Sequence, residues 1–256
     1  MMHFTTRPAT RISRLSGIVA LSATLSMMAA PSVQAQAFRT EALRVPQVTA
    51  IKIEATNPDI VRVLAKIAAI RADLQLGLLF AADGLSHPEG SHFTHPRKEA
   101  WPEIKDAFVA AGGADLAPLL ETLEKASTGD EINAAFKAVE AELAKTRVAL
   151  NPTAEDSVMS LLAMARSAAD EINPSGPTEV FAYQNAWAIL MVARGELDLL
   201  ARNEDPAIAK WAAEAALAFD DLILSMPDPN LAGPVEYDVA PINDLISRLE
   251  NLSESA

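Results

Sequence analysis

The sequence predicts an all-α fold, an up-and-down bundle of seven to eight helices that could divide into two half-bundles. Three observations carry this expectation. Apolar residues recur at three- and four-residue spacing along most of the chain. Helix starts are marked by Asn57-Pro58, by Asp205-Pro206 and by Thr153 with Asp156 three residues on. The only alternating stretch, "QVTAIKIEA" at 47–55, is too short to argue for a sheet.

Residues 1–35 read as a signal peptide and stand outside the fold. Arg7, Arg11 and Arg14 give a basic start, and Leu15 to Ala30 is apolar but short for a spanning helix. The small residues of "SVQAQA" then suit cleavage after Ala35 or Ala37. A loose segment is expected at 36–56, followed by a helical bundle domain at 57–256.

The first helix follows Asn57-Pro58, with Ile60, Val63, Leu64, Ile67, Leu74, Leu78 and Ala81 as one apolar stripe and Gly84 at its end. A polar loop comes next, then a helix from Pro96 or Lys98 to the "AGG" at 111–113. "ADLAPLLETLEKAS" and "TGDEINAAFKAVEAELAKTRVAL" supply two more, the latter with Ile132, Phe136, Val139 and Leu143 on one face. "NPTAED" at 151–156 is the expected half-bundle boundary, and Thr153 opens the following helix with Asp156 in capping-box position. "NPSGP" breaks the chain before a helix from Thr178 to about Asn203. After Asp205-Pro206, Ile208, Trp211, Ala215, Phe219 and Leu222 form a stripe. "MPDPNLAGP" is a stiff linker, and Ile242, Leu245, Ile246, Leu249 and Leu252 mark the last helix.

Charge restricts the partners. Removing the leader's three arginines from 21 Lys+Arg leaves 18 against 34 Asp+Glu, a formal charge of −16. The cations of "RVLAKIAAIR" share their helix with Asp59 and Asp73, so no basic patch is expected. Nucleic acid and anionic lipid are therefore disfavoured, and cations are favoured. The absence of cysteine excludes disulfides, a thiolate nucleophile and C-x-x-C-H haem attachment. No later run is long and apolar enough for a membrane span, so the mature chain is expected to stay out of the bilayer. Without a G-x-S-x-G elbow, an H-E-x-x-H pair or a phosphate-cradling glycine loop, binding is expected rather than catalysis.

"SHPEGSHFTHPRKEAW", residues 86–101, holds three of the four histidines: His87, His92 and His95. Imidazole suits Fe, Zn and Cu, and nearby carboxylates complete such sites. His92-x-x-His95 is a workable ligand spacing, and His95 and Glu99 fall one turn apart if the helix reaches back that far. Glu89 and Glu103 lie within reach as supporting groups. The same stretch also suits a pH-responsive loop, or a helix start without chemistry, because a residue before proline is pushed out of helical geometry. "EVFAYQNAWAIL", 179–190, brings Glu179, Tyr183 and Gln184 into an apolar helix, as packed core or as a pocket wall. Met159, Met164, Met191 and Met226 are dispersed on apolar faces and read as core fillers. The acids of "EAEL" at 140–143 and of Asp220-Asp221 read as solvated.

"LGLLFAADG…SHFTHPRKE" followed by "EVFAYQNAW" resembles a group of exported all-helical proteins of Gram-negative bacteria. In that group a "GH" precedes "HF-x-HP-x-x-E" and a later helix carries "EYQDA". The group is distantly similar to imelysin-type periplasmic iron-uptake proteins. His92, Phe93, His95, Pro96 and Glu99 match the first motif, and Tyr183, Gln184 and Ala186 the second. The chain departs at Gln75-Leu76, where "GH" is expected, and at Asn185, where the group has an acid. The resemblance implies a periplasmic protein that binds a metal.

The expected function is thus a periplasmic binding protein. It would hold a divalent or ferric ion through His87, His92, His95 and Glu99, with Tyr183 or Gln184 orienting the ligands. The alternative is a cell-envelope interaction module in which a helix groove holds a partner and the histidines are incidental.

Overall fold

The computed structural model describes residues 56–82 and 92–254. Among these are nine α-helices and one 3-10 turn, η1. In order they are α1 (Pro58–Ala82), η1 (His92–Thr94), α2 (His95–Lys98), α3 (Ala100–Ala110), α4 (Ala117–Lys125) and α5 (Gly129–Leu150). The second half holds α6 (Ala154–Asp170), α7 (Val180–Leu200), α8 (Pro206–Ser225) and α9 (Ala240–Glu254). The all-α expectation is borne out. The leader, the 36–55 segment with its alternating stretch, Gly84, His87 and Glu89 lie outside the described residues.

The extra helix arises where the sequence predicts one continuous segment from about 96 to 111. Pro102 has no N–H to give to the Lys98 carbonyl, and its ring clashes with that carbonyl in an α-helix. The chain breaks there, with α2 ending at Lys98 and α3 starting at Ala100. The predicted start at Thr178 also shifts. Thr178 pairs with Val235 in an isolated antiparallel bridge, and α7 begins two residues later.

Two of the predicted caps are joined. The Asp156 carboxylate accepts the Thr153 N–H at 3.0 Å, closing the box at the start of α6, and the Asn57 N–H at 2.8 Å. One buried side chain therefore anchors the first residues of both α1 and α6. The two helices set off side by side and in the same direction.

The single stripe read along α1 proves too narrow, because α1 is buried on two faces. Val63, Ile67, Ile70 and Leu74 join Trp101, Ile104, Phe108, Leu120, Leu123, Val139 and Leu143 in a core shared with α3, α4 and α5. Ala68, Ala72, Leu76 and Phe80 face a second core built with α6, α7, α8 and α9. Ala81, assigned to the stripe, is exposed. The chain passes from one core to the other at Asn151, whose positive φ of 45° ends α5. Met164 and Met226 fill the second core as expected, whereas Met191 is 38% exposed and Met159 is only partly covered. Among the described residues no helix is long and apolar enough to cross a membrane.

Candidate functional site

The site begins with a notch in α1. Gly77 faces the Phe93 ring so closely that an added Cβ would lie 2.3 Å from it. This contact lets Phe93 enter the first core and seats η1 directly against α1. His92, the preceding residue, is then driven inward and is only 2% exposed. Its ring stacks on Phe181 of α7 at 4.1 Å and on Phe80 of α1 at 5.6 Å. His95 stacks on the same Phe181 at 4.3 Å, so the two imidazole centres are 6.2 Å apart.

Hydrogen bonding fixes the orientation of His92. The Gln184 Nε2 donates to the Pro229 carbonyl at 2.9 Å, and a carbonyl can only accept. The Gln184 Oε1 therefore faces His92 Nε2, 3.2 Å away, and this nitrogen must carry the proton. Nδ1 is left pointing at Asp73 Oδ1, 3.6 Å away. A single proton or another cation between Nδ1 and the carboxylate would bridge the two groups. Burial pushes the Asp73 carboxyl above the usual carboxylate range, although its bond to His92 and the nearby His95 pull the other way.

Two more acids complete the surroundings. Glu99 reaches back one turn to His95, with 3.3 Å from its Oε1 to Nδ1, and is 66% exposed. Glu171, at the end of α6, is also raised, first by burial and then by the negative charges of Asp73, Glu99 and Asp170. Five titratable groups from α1, η1, α2 and the ends of α2 and α6 thus act on one another beside Phe181.

The structure brings together three of the sequence-predicted residues, His92, His95 and Glu99, and sets Gln184 against them. Tyr183 is fully buried and donates its hydroxyl to the Pro227 carbonyl at 2.7 Å, away from the imidazoles. Glu103 pairs with Lys66 at 2.8 Å and takes no part in the site. Glu179 is exposed at the start of α7. Sequence reasoning missed Asp73 and Glu171 as members of the cluster, and missed the linker carbonyls of Pro227 and Pro229. An acid between Ala72 and Leu74, inside an apolar run, was the available signal for Asp73.

Among the described residues no three His, Asp or Glu side chains converge as a ready metal cage. The arrangement holds two imidazoles and three carboxylates, with Nδ1 of His92 turned toward Asp73 and the exposed Glu99 turned toward His95. No protein-family model, no curated protein and no solved structure matches the chain.

Proposed function

We propose that this is an exported metal-binding helical bundle of the cell envelope, with its site at Asp73, His92, His95, Glu99 and Glu171. The observation that carries the reading is the facing pair of His92 Nδ1 and Asp73 Oδ1. A metal ion between them would be held by both, and it would supply a counter-charge to Glu171, which is raised first by burial and then by its acidic neighbours. Mixed imidazole and carboxylate donors suit a divalent first-row ion such as Zn, or Fe. Gln184 fixes the tautomer of His92 from the far side, the role that outer hydrogen bonds play for metal-bound histidines. Closure around the ion requires His95 and Glu99 to rotate about their own side-chain bonds, and the exposure of Glu99 leaves room for that. The basic, apolar leader at 1–35 and the resemblance to imelysin-type proteins support export and metal binding.

Thermal melting of the full chain with Zn, Cu(II), Fe(III), Ni and Mn, each against a chelator control, tests the reading. An ion held at a hundred times its dissociation constant stabilises by about 2.7 kcal/mol. For a chain of this size that is a rise of roughly 5–10 °C. The rise should disappear in Asp73→Asn and in the His92→Ala/His95→Ala double variant. Identical melting with and without millimolar metal would sink the proposal, as would a rise that both variants retain.

A further inference from the structure

A cavity of about 490 Å³ opens along the α1–α6 seam, and none of the five cluster residues lines it. That volume lies in the range of small-molecule sites, roughly 300–1,000 Å³. Its walls are unusually uniform. Ala65 and Ala69 of α1 face Ala163 of α6, three small residues that keep the seam open. Met159, Met164 and Ile189 supply the rest of an aliphatic lining, with Val61 toward the mouth. No aromatic ring lines it, and besides Arg62 and Lys66 its polar side chains are the hydroxyls of Thr56 and Ser167. Such walls suit a saturated chain. Methionine adds an adaptable, polarisable surface.

The mouth has a different character. Arg62 and Lys66 stand on its α1 side, in a chain whose net charge is −13. Their partners are Asp59 and the Glu103 carbonyl for Arg62, and the Glu103 carboxylate for Lys66. Asp59 and Glu103 are solvent-exposed, and exposed pairs of this kind are weak and exchange readily. The N-terminal ends of α1 and α6 lie at the same end, where the Asp156 carboxylate already accepts from both and offsets their dipoles, so the positive character of the mouth comes from Arg62 and Lys66. The run from Pro58 to Ala69 spans roughly 16 Å at 1.5 Å per residue. A volume of about 490 Å³ over that length averages roughly 30 Å² in cross-section, which takes an extended chain and not a helix about 10 Å across.

The geometry points to a binding site for a linear alkyl amphiphile with an anionic head, such as a medium-chain carboxylate. The chain lies along Ala65, Ala69 and Ala163, and the head sits between Arg62 and Lys66. This site is independent of the proposed metal cluster.

Calorimetric titration of the full chain with submicellar dodecanoate tests it, beside dodecanol and an amphipathic helical peptide. Saturable one-to-one binding of dodecanoate is expected. Ala163→Phe, which fills the seam from a partly exposed position, should weaken both alkyl ligands at least about tenfold. Lys66→Glu should weaken dodecanoate by a similar factor and leave dodecanol nearly unchanged, and as a surface change it keeps the test open if Ala163→Phe does not fold. Asp73→Asn should bind dodecanoate like the wild type whatever it does to metal binding. The proposal is overturned if dodecanoate shows no saturable binding, if folded Ala163→Phe binds it as tightly as the wild type, or if the peptide binds and dodecanoate does not.

Discussion

Gly77 shows how one absent side chain builds the site. Alanine there would gain about 1 kcal/mol of helix propensity. Its Cβ would also lie 2.3 Å from a Phe93 ring packed into the first core. Overpacking of this kind costs about 1–3 kcal/mol, so Gly77→Ala should lower the urea midpoint despite its better propensity. A raised midpoint would mean that Phe93 swings out freely and that η1 is not seated by this contact. The two tyrosines allow a pH prediction. Burial first, and then neighbouring negative charge, raises both Tyr183 and Tyr237 above the ordinary phenol value. Their contribution to stability is therefore full below about pH 10 and is lost as pH climbs beyond it. Ultraviolet titration of the native chain should show little tyrosinate near pH 10, with the absorbance appearing together with loss of circular dichroism. Tyrosinate forming while the helices persist would contradict that burial. The candidate site was half legible at this scale. His92, His95 and Glu99 stood out through composition and spacing, and Gln184 through its odd place in an apolar helix. The sequence separation of 92 between His92 and Gln184 left no local trace of their contact. Asp73, read as one more charge beside Arg71, gave no sign that it faces an imidazole.

Helix ends explain how the elements are held in order. Removing an ordinary cap costs about 0.5–2 kcal/mol. Thr128 is such a cap, serving α5 alone through its box with Glu131. Asp156 serves two helices, since it bonds both the Thr153 and the Asn57 N–H groups from a buried position. Asp156→Ala should therefore lower the melting temperature more than Thr128→Ala. A loss near 2 kcal/mol corresponds to a drop of roughly 4–8 °C in a chain of this size. Equal losses in the two variants would show that the bond to Asn57 contributes nothing. The caps were readable because their signals lie within four residues of each other. The break at Pro102 was readable in principle too, since the clash it causes is local. The acids of "EAEL" were not. Glu140 reads as solvated, yet it accepts from Arg71 at 3.1 Å. Arg71 also bonds Glu196, and Glu196 pairs with Arg147. This half-buried network ties α1, α5 and α7 across separations of 49 to 125 residues, beyond any periodicity.

At the scale of the whole molecule, the described residues form two apolar cores with one helix, α1, common to both. Without the α6–α9 half, α1 would expose Leu76 and Phe80; without the α3–α5 half it would expose Ile67, Ile70 and Leu74. Each such side chain is worth about 1.5–3 kcal/mol when buried, so neither half retains α1 cheaply once the other is lost. The Arg71 network spans the same junction and adds polar coupling to the apolar one. The two cores should therefore unfold in a single transition, even though the chain crosses between them only once, at Asn151. The tryptophans make this measurable. Trp101 lies in the first core, while Trp211 lies in the second with Trp187 packed against it. Trp187→Phe/Trp211→Phe leaves fluorescence from the first core alone, and Trp101→Phe leaves it from the second. In each variant the denaturant midpoint from fluorescence should coincide with that from far-ultraviolet circular dichroism, the mark of two-state behaviour. Comparing probes within one variant removes the effect of the substitution on overall stability. If the midpoint of the first core separated from that of the bulk helix signal, α1 would have to release one core while keeping the other. The proposed metal site, whose groups come from α1, η1, α2 and the end of α6, would then dissolve at the earlier step, and a metal that binds it would draw the two midpoints together.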